Sequence, residues 1–191
     1  MYELYTPIDV PNFEQIQYGL QKCLPDNYTT KTAPFAFNVD TQILQQHCPF
    51  LMDWIEFNSK IDILHYRIYI TPPKSRLPPH IDGGGIKPVV PFRLNIPITG
   101  TANTKLMYYT TPDDNLKTFI PDAYLSSIHP IDFKKLKLVD AVEIKTPHFI
   151  NTSVLHSISN PNITYRAMLA VTWSIHDTKY REINDVFKIN H

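Results

Sequence analysis

The sequence predicts a mainly β fold with helices packed along one side, and three observations carry that expectation. Before residue 60 apolar residues recur at helical intervals. After it, short β-rich runs alternate with prolines and turn residues. The chain has 191 residues, 43% of them hydrophobic, which suits one substantial core. The helical part comes first. NFEQIQYGLQKCL (12–24) and DTQILQQHCPFLMDWIEF (40–57) read as two helices, with Asp40 as the N-cap of the second. The strand runs ILHYRIYI, FRLNIPI, KLMYYT, AVEI and YRAMLAVTWSI then follow in the rhythm of a sandwich or barrel. The 17 prolines are expected mostly at strand ends and loops, because proline lacks a ladder donor. Residues 111–138 interrupt the strands with a long irregular segment, a length typical of lids and binding loops. The expected organisation is a single domain over 1–191: helical support at 1–60, a β core at 61–175 carrying the 111–138 insertion, and a polar, helical appendix at 176–191.

Composition narrows the function. The 18 basic and 18 acidic residues balance, and charged residues make up 19% of the chain, so no overall charge favours nucleic acid or an anionic membrane. Cys23 and Cys48 lack metal-ligand spacing, so neither a disulfide framework nor a cysteine zinc site is expected, and a reducing, cytoplasmic setting fits best. The opening MYELYTPIDVPNF has no basic region followed by an apolar run, and no apolar run approaches membrane-spanning length. A soluble, unexported protein is the expectation. Oligomeric state is not legible from the sequence.

The chemistry concentrates in two places. The first is LPPHIDGGG (77–85), where three of the chain's five glycines stand directly after a His-x-Asp. In extended chain, residues two apart face the same side about 7 Å apart, so His80 and Asp82 can converge on one metal ion. Alone, so short a motif is a weak signal, and a hydrogen-bonded turn histidine explains it equally well. The second place is TPHFINTSVLHSISNPNITYRAMLAVTW, which puts His156 at the start of one strand, a turn at Asn160-Pro161-Asn162, and Arg166 on the next. Read as a hairpin, this returns Arg166 to the neighbourhood of His156. Arg166 is followed by Ala167, Met168, Leu169, Ala170 and Val171, where an unpaired charge is costly, so an anion should face it.

Two histidines and one carboxylate with open coordination positions are diagnostic of non-haem Fe(II) oxygenases. The order His-x-Asp, a long interval, then His-x9-Arg on the last major strands resembles the 2-oxoglutarate/Fe(II)-dependent oxygenases, and within them the aspartyl/asparaginyl β-hydroxylase and proline hydroxylase group. The resemblance covers about residues 63–175 and rests on PPHIDGGG, FRLNIPI and the His156–Arg166 segment. It implies a double-stranded β-helix, a cupin-like jelly roll. It implies Fe(II) held by His80, Asp82 and His156, and 2-oxoglutarate anchored through its distal carboxylate by Arg166, with dioxygen as co-reactant. The group's arginine on the equivalent of FRLNIPI implies a cosubstrate role for Arg93, and Asn95 shares that polar face. The implied reaction is hydroxylation of a small-molecule or peptidyl amino-acid side chain.

Plainer readings stand beside these. Arg93 either serves the cosubstrate or pairs with a carboxylate of the helical layer. His65, Arg67 and Tyr69 alternate on ILHYRIYI and either line the pocket or form an outer sheet face. His129, His148 and His176 lack partners at ligand spacing and read as loop or core histidines, and Phe149, Trp173, Tyr108 and Tyr109 as packing. The glycine run and residues 111–138 are expected to form the substrate-selecting rim. A non-catalytic cupin-like binding module and a hydrolytic metal enzyme remain as alternatives, and the latter gives Arg166 no task.

Overall fold

The computed structural model describes residues 4–82, 92–110, 133–174 and 182–189. Gly83–Gly85, most of the 111–138 interval, His129 and His176 therefore lie outside the described residues. The elements run β1 (Tyr5–Pro7), α1 (Phe13–Gln21), β2 (Phe35–Asn38), α2 (Thr41–His47), α3 (Pro49–Asn58), β3 (Ile63–Thr71), β4 (Ser75–His80), β5 (Phe92–Thr99), β6 (Lys105–Thr110), β7 (Lys137–Val142), β8 (His148–Asn151), β9 (His156–Asn160), β10 (Arg166–Trp173) and α4 (Ile183–Val186). None of the described helices is long and apolar enough to cross a membrane.

The strands form two sheets, one ordered β1-β8-β5-β10-β3-β2 and the other β4-β9-β6-β7, with every pairing antiparallel. From β3 to β10 the chain passes repeatedly between the sheets, remaining in one only for β6 to β7. That winding is a double-stranded β-helix. Alternation along the strands of the larger sheet sorts the two faces. Ile68, Ile70, Leu94, Ile96, Leu169 and Val171 pack against Leu20, Leu44, Leu51 and Ile55 of the helices. Ile150 and Met168, on the other face, meet Leu106, Tyr108 and Ile158 of the smaller sheet inside the roll.

Several elements depart from the sequence reading. The 40–57 segment is two helices, because Pro49 opens α3 and cannot supply the donor that would continue α2. Asp40 caps α2 as expected, accepting a hydrogen bond from the Gln42 backbone at 2.7 Å. β4 is not among the strand runs read from the sequence, and it contains Pro78 and Pro79. They are tolerated because β4 is an edge strand and bulges there: Leu77 pairs with Ile158 and His80 with His156, so Pro78 and Pro79 stand against Ser157 alone. β7 covers Lys137–Val142, so it takes in the last two residues of the segment expected to be irregular.

The His156–Arg166 segment is not a hairpin. β9 and β10 belong to opposite sheets, and the turn between them carries the chain across the roll. Asn160 fixes this crossing, its amide nitrogen lying 3.0, 2.9 and 3.0 Å from the carbonyls of Thr71, Pro72 and Thr164. Thr71 and Pro72 belong to the neighbouring β3–β4 crossing, so one buried side chain ties two crossovers together. At the opposite end of the sequence, Phe187 is fully buried, its ring 5.1 Å from Trp54, 5.2 Å from Phe149 and 5.7 Å from Trp173. The described part of the expected appendix is thus core on one side.

Asn160→Ala should lower stability by about 1–3 kcal/mol, because the three buried carbonyls lose their shared donor. Urea denaturation should show a lower midpoint with an unchanged slope. An unchanged midpoint would mean that the crossing does not depend on this side chain.

Candidate metal and anion site

His80, Asp82 and His156 converge, each offering a ligand atom such that all three lie within 4.8 Å of one another. The fold explains each placement. The Pro78–Pro79 bulge precedes His80 at the end of β4, and His80 sits directly opposite His156 at the start of β9, with ring centres 4.5 Å apart. Asp82, just beyond β4, is pinned by its backbone N–H donating to the Thr152 carbonyl at 3.0 Å. Tyr108, opposite His156 on β6, packs its ring 6.1 Å from that imidazole and donates its hydroxyl to the Leu4 carbonyl.

Both histidines are oriented in the same way. His80 Nδ1 lies 2.8 Å from the Pro78 carbonyl, and His156 Nδ1 lies 2.8 Å from the Val154 carbonyl. A carbonyl only accepts, so Nδ1 must carry the proton, which leaves the Nε2 lone pair for a ligand in the neutral ring. His156 Nε2 is buried without a hydrogen-bond partner. Burial and the neighbouring His80 push the His156 pKa down to about 4, so its ring is neutral and ligand-competent at neutral pH.

Asp82 is the electrostatic centre. Its Oδ1 lies 3.2 Å from His80 Nε2, and its Oδ2 lies 2.8 Å from Arg93 Nη1 and 3.8 Å from His156 Nε2. Oδ2 has the Arg93 charge at contact but no donor aligned on it, so it too is orphaned. Burial opposes ionisation, but Arg93 and the two histidines outweigh it and hold the carboxyl well below the usual carboxylate range. Burial likewise works against the charged form of His80, and contact with Asp82 reverses that and raises its pKa. The ionised Asp82 and the unpartnered His156 Nε2 suit a divalent cation: two imidazole nitrogens and one carboxylate oxygen make an N2O donor set.

Arg166 begins β10 on the face that looks into the roll and is 4% exposed. Among the described residues no carboxylate forms an ion pair with it. Burial, with the Arg93 charge nearby, lowers its pKa to about 10, which still leaves it protonated at neutral pH. Arg93 donates to the Tyr69 hydroxyl at 3.0 Å, and its guanidinium carbon sits 4.7 Å from the Tyr69 ring centre. Asn95 lies two residues further along the same face, with its side-chain oxygen buried and unpartnered.

Arg93 therefore pairs with the site's own carboxylate and, among the described residues, with none from the helical layer. His65, Arg67 and Tyr69 are on the inward face of β3, opposite Thr172, Ala170 and Met168 of β10. The pocket-lining alternative holds for Tyr69 through its contact with Arg93. His65 is also close enough to the site that burial, Arg67 and Arg93 lower its pKa to about 4. Strand alternation put these three residues on a common face, but only strand pairing shows which way that face looks. Phe149 and Trp173 are core, and His148 is a buried histidine bound to the Thr146 carbonyl at 2.7 Å.

No protein-family model matches the chain, and no curated protein matches it. Solved structures do. The chain is similar to the non-heme alpha ketoglutarate dependent carbocyclase SnoK from nogalamycin biosynthesis, with a TM-score of 0.57 and 13% identity over 99% of this chain and 90% of that one. It is similar to the non-heme alpha ketoglutarate dependent epimerase SnoN from the same biosynthesis, with a TM-score of 0.55 and 11% identity over 94% of this chain and 79% of that one. A third, EvdMO1, gives a TM-score of 0.51 and 15% identity over 91% of this chain and 47% of that one. At such identities the likeness speaks to fold alone: the chain has the double-stranded β-helix in which SnoK and SnoN are built.

Proposed function

We propose that the protein is an Fe(II)- and 2-oxoglutarate-dependent oxygenase. The observation that carries this reading is the combination, in one roll, of the His80/Asp82/His156 cluster with the buried guanidinium of Arg166. A hydrolytic metal enzyme would use the three ligands but would leave Arg166 as a buried charge without purpose, at a cost of several kcal/mol. A non-catalytic module would need neither the open ligand atoms nor the anchor. The likeness in fold to alpha ketoglutarate dependent enzymes supports the same choice.

In this reading His80, Asp82 and His156 hold Fe(II), and bound iron with 2-oxoglutarate supplies activation of dioxygen and oxidation of a C–H bond, leaving succinate and carbon dioxide. The chain supplies geometry. Arg166 presents a planar fork to the distal carboxylate of the cosubstrate. Arg93 Nε and the Asn95 amide complete the polar lining of the same inward face. The apolar cluster of Leu106, Tyr108, Ile150, Ile158 and Met168 fills the space between the sheets and keeps bulk water from the charged groups.

The residues PPHIDGGG and FRLNIPI favour hydroxylation of an amino-acid side chain, free or in a peptide, as in the aspartyl/asparaginyl β-hydroxylase and proline hydroxylase group. Buried, unpaired Cys23 and Cys48 accord with a cytoplasmic setting. Selection of the substrate is assigned to Gly83–Gly85 and the 111–138 interval, since β4 and β6 lead into them from the end of the roll that carries His80 and His156.

Two outcomes are expected. Aerobic incubation with Fe(II), 2-oxoglutarate and a panel of amino acids and peptides should form succinate and add one oxygen atom to a substrate by mass spectrometry, and His156→Ala should do neither. Absence of 2-oxoglutarate turnover under all conditions would favour the binding module. Separately, Arg166→Ala should weaken 2-oxoglutarate binding roughly tenfold or more, the equivalent of about 1.5–3 kcal/mol for a charged hydrogen bond, while Mn(II) stays bound. Anaerobic calorimetric titration of the Mn(II)-loaded variant measures this, and an unchanged affinity would move the anchor to Arg93.

A further inference from the structure

The carboxylate of Asp82 is gripped unevenly. Its Oδ2 lies 2.8 Å from Arg93 Nη1, whereas Oδ1 faces His80 Nε2 at 3.2 Å. Arg93 is itself fixed. The same Nη1 donates to the Tyr69 hydroxyl at 3.0 Å, the guanidinium rests on the Tyr69 ring at 4.7 Å, and the side chain is only 12% exposed. β3 thus aims Arg93, and Arg93 aims Asp82, while the Thr152 carbonyl holds the Asp82 backbone from the β8–β9 connection.

This grip bears on coordination number. A carboxylate can give a cation one oxygen or both. With two imidazoles, one oxygen leaves three of six octahedral positions open and two oxygens leave only two. A chelating 2-oxo acid fills two positions, so the third is the one at stake.

We propose that Arg93, anchored by Tyr69, is a positioning residue that retains Asp82 Oδ2, so that the carboxylate gives a cation Oδ1 alone and the third position stays open. The inference rests on the metal reading above and deepens it. It adds to Arg93 a task separate from lining the cosubstrate space. The task requires a fixed positive charge held against Oδ2 by a side chain locked onto β3, and the Arg93–Tyr69 pair provides that.

The probe is Mn(II) alone, without cosubstrate. Calorimetric titration first establishes that wild-type protein binds one Mn(II), and failure to bind would overturn the metal reading and this proposal together. Water-proton relaxivity is then measured on Mn(II)-saturated protein. Arg93→Met should lower the inner-sphere contribution by about one third, from three coordinated waters to two. Arg93→Lys, which keeps the charge, should return it toward the wild-type value. Tyr69→Phe removes one hydroxyl and keeps the ring, and it should shift relaxivity in the same direction by less, which preserves the test should Arg93→Met not fold. A purely structural role for Arg93 would change stability and not hydration of the ion. Equal relaxivity in wild type and in the folded, Mn(II)-saturated variants overturns the proposal.

Discussion

The half-buried Asp82 carboxylate, packed beside Arg93, His80 and His156, sets the constraint around which the rest of the structure is organised. Desolvation works against every charge in this group, and only their mutual contacts keep Asp82 ionised. Those contacts need residues from four strands and a loop to meet at one end of the roll: His80 after a bulge in β4, Asp82 beyond it, His156 opposite on β9, Arg93 on β5 and Tyr69 on β3. A double-stranded β-helix makes this convergence, because consecutive strands alternate between facing sheets and deliver residues distant in sequence to one interior.

Rigidity in this interior comes from backbone carbonyls as much as from side chains. Pro78 and Val154 fix the two imidazoles, Thr152 fixes the Asp82 backbone, and Thr71, Pro72 and Thr164 hold Asn160 at the far crossing. Most of these carbonyls lie in loops, at a strand end or at the β4 bulge, so the hydrogen bonds that place the functional groups also tie them to the turns of the roll. The site and the crossings of the roll are therefore supported by one set of interactions. The packed helical layer keeps the opposite face of the larger sheet dry and leaves the interior face available for polar residues.

The sequence carried the convergence of polar residues further than it carried the topology. His80, Asp82, His156 and Arg166 were legible because their identities and spacing are local facts, and the apolar setting of Arg166 announced a buried charge. The long strands β3, β5, β6 and β10 were legible from β-branched and aromatic runs. β1, β2 and β8 were not, since each is four residues or fewer, and β4 was hidden by its two prolines, which a bulged edge strand can accept; β9 was legible as a strand beginning at His156, but not its sheet. The crossing between β9 and β10 looked like a hairpin because turn residues mark a reversal without saying which sheet receives the returning strand. Arg93 kept two readings for the same reason: strand alternation gives its face, but its partner Asp82 is supplied by pairing between distant segments.

On the proposed function, His80, Asp82 and His156 complement one metal ion and Arg166 one dicarboxylate. Crystals grown anaerobically with Mn(II) and 2-oxoglutarate test it most directly, through an anomalous difference map collected near the manganese edge. A single strong peak is expected, bounded by His80 Nε2, an Asp82 oxygen and His156 Nε2, with density for the cosubstrate running from it to the guanidinium of Arg166. A peak elsewhere, or a metal at this site with the dicarboxylate bound away from Arg166, would contradict it.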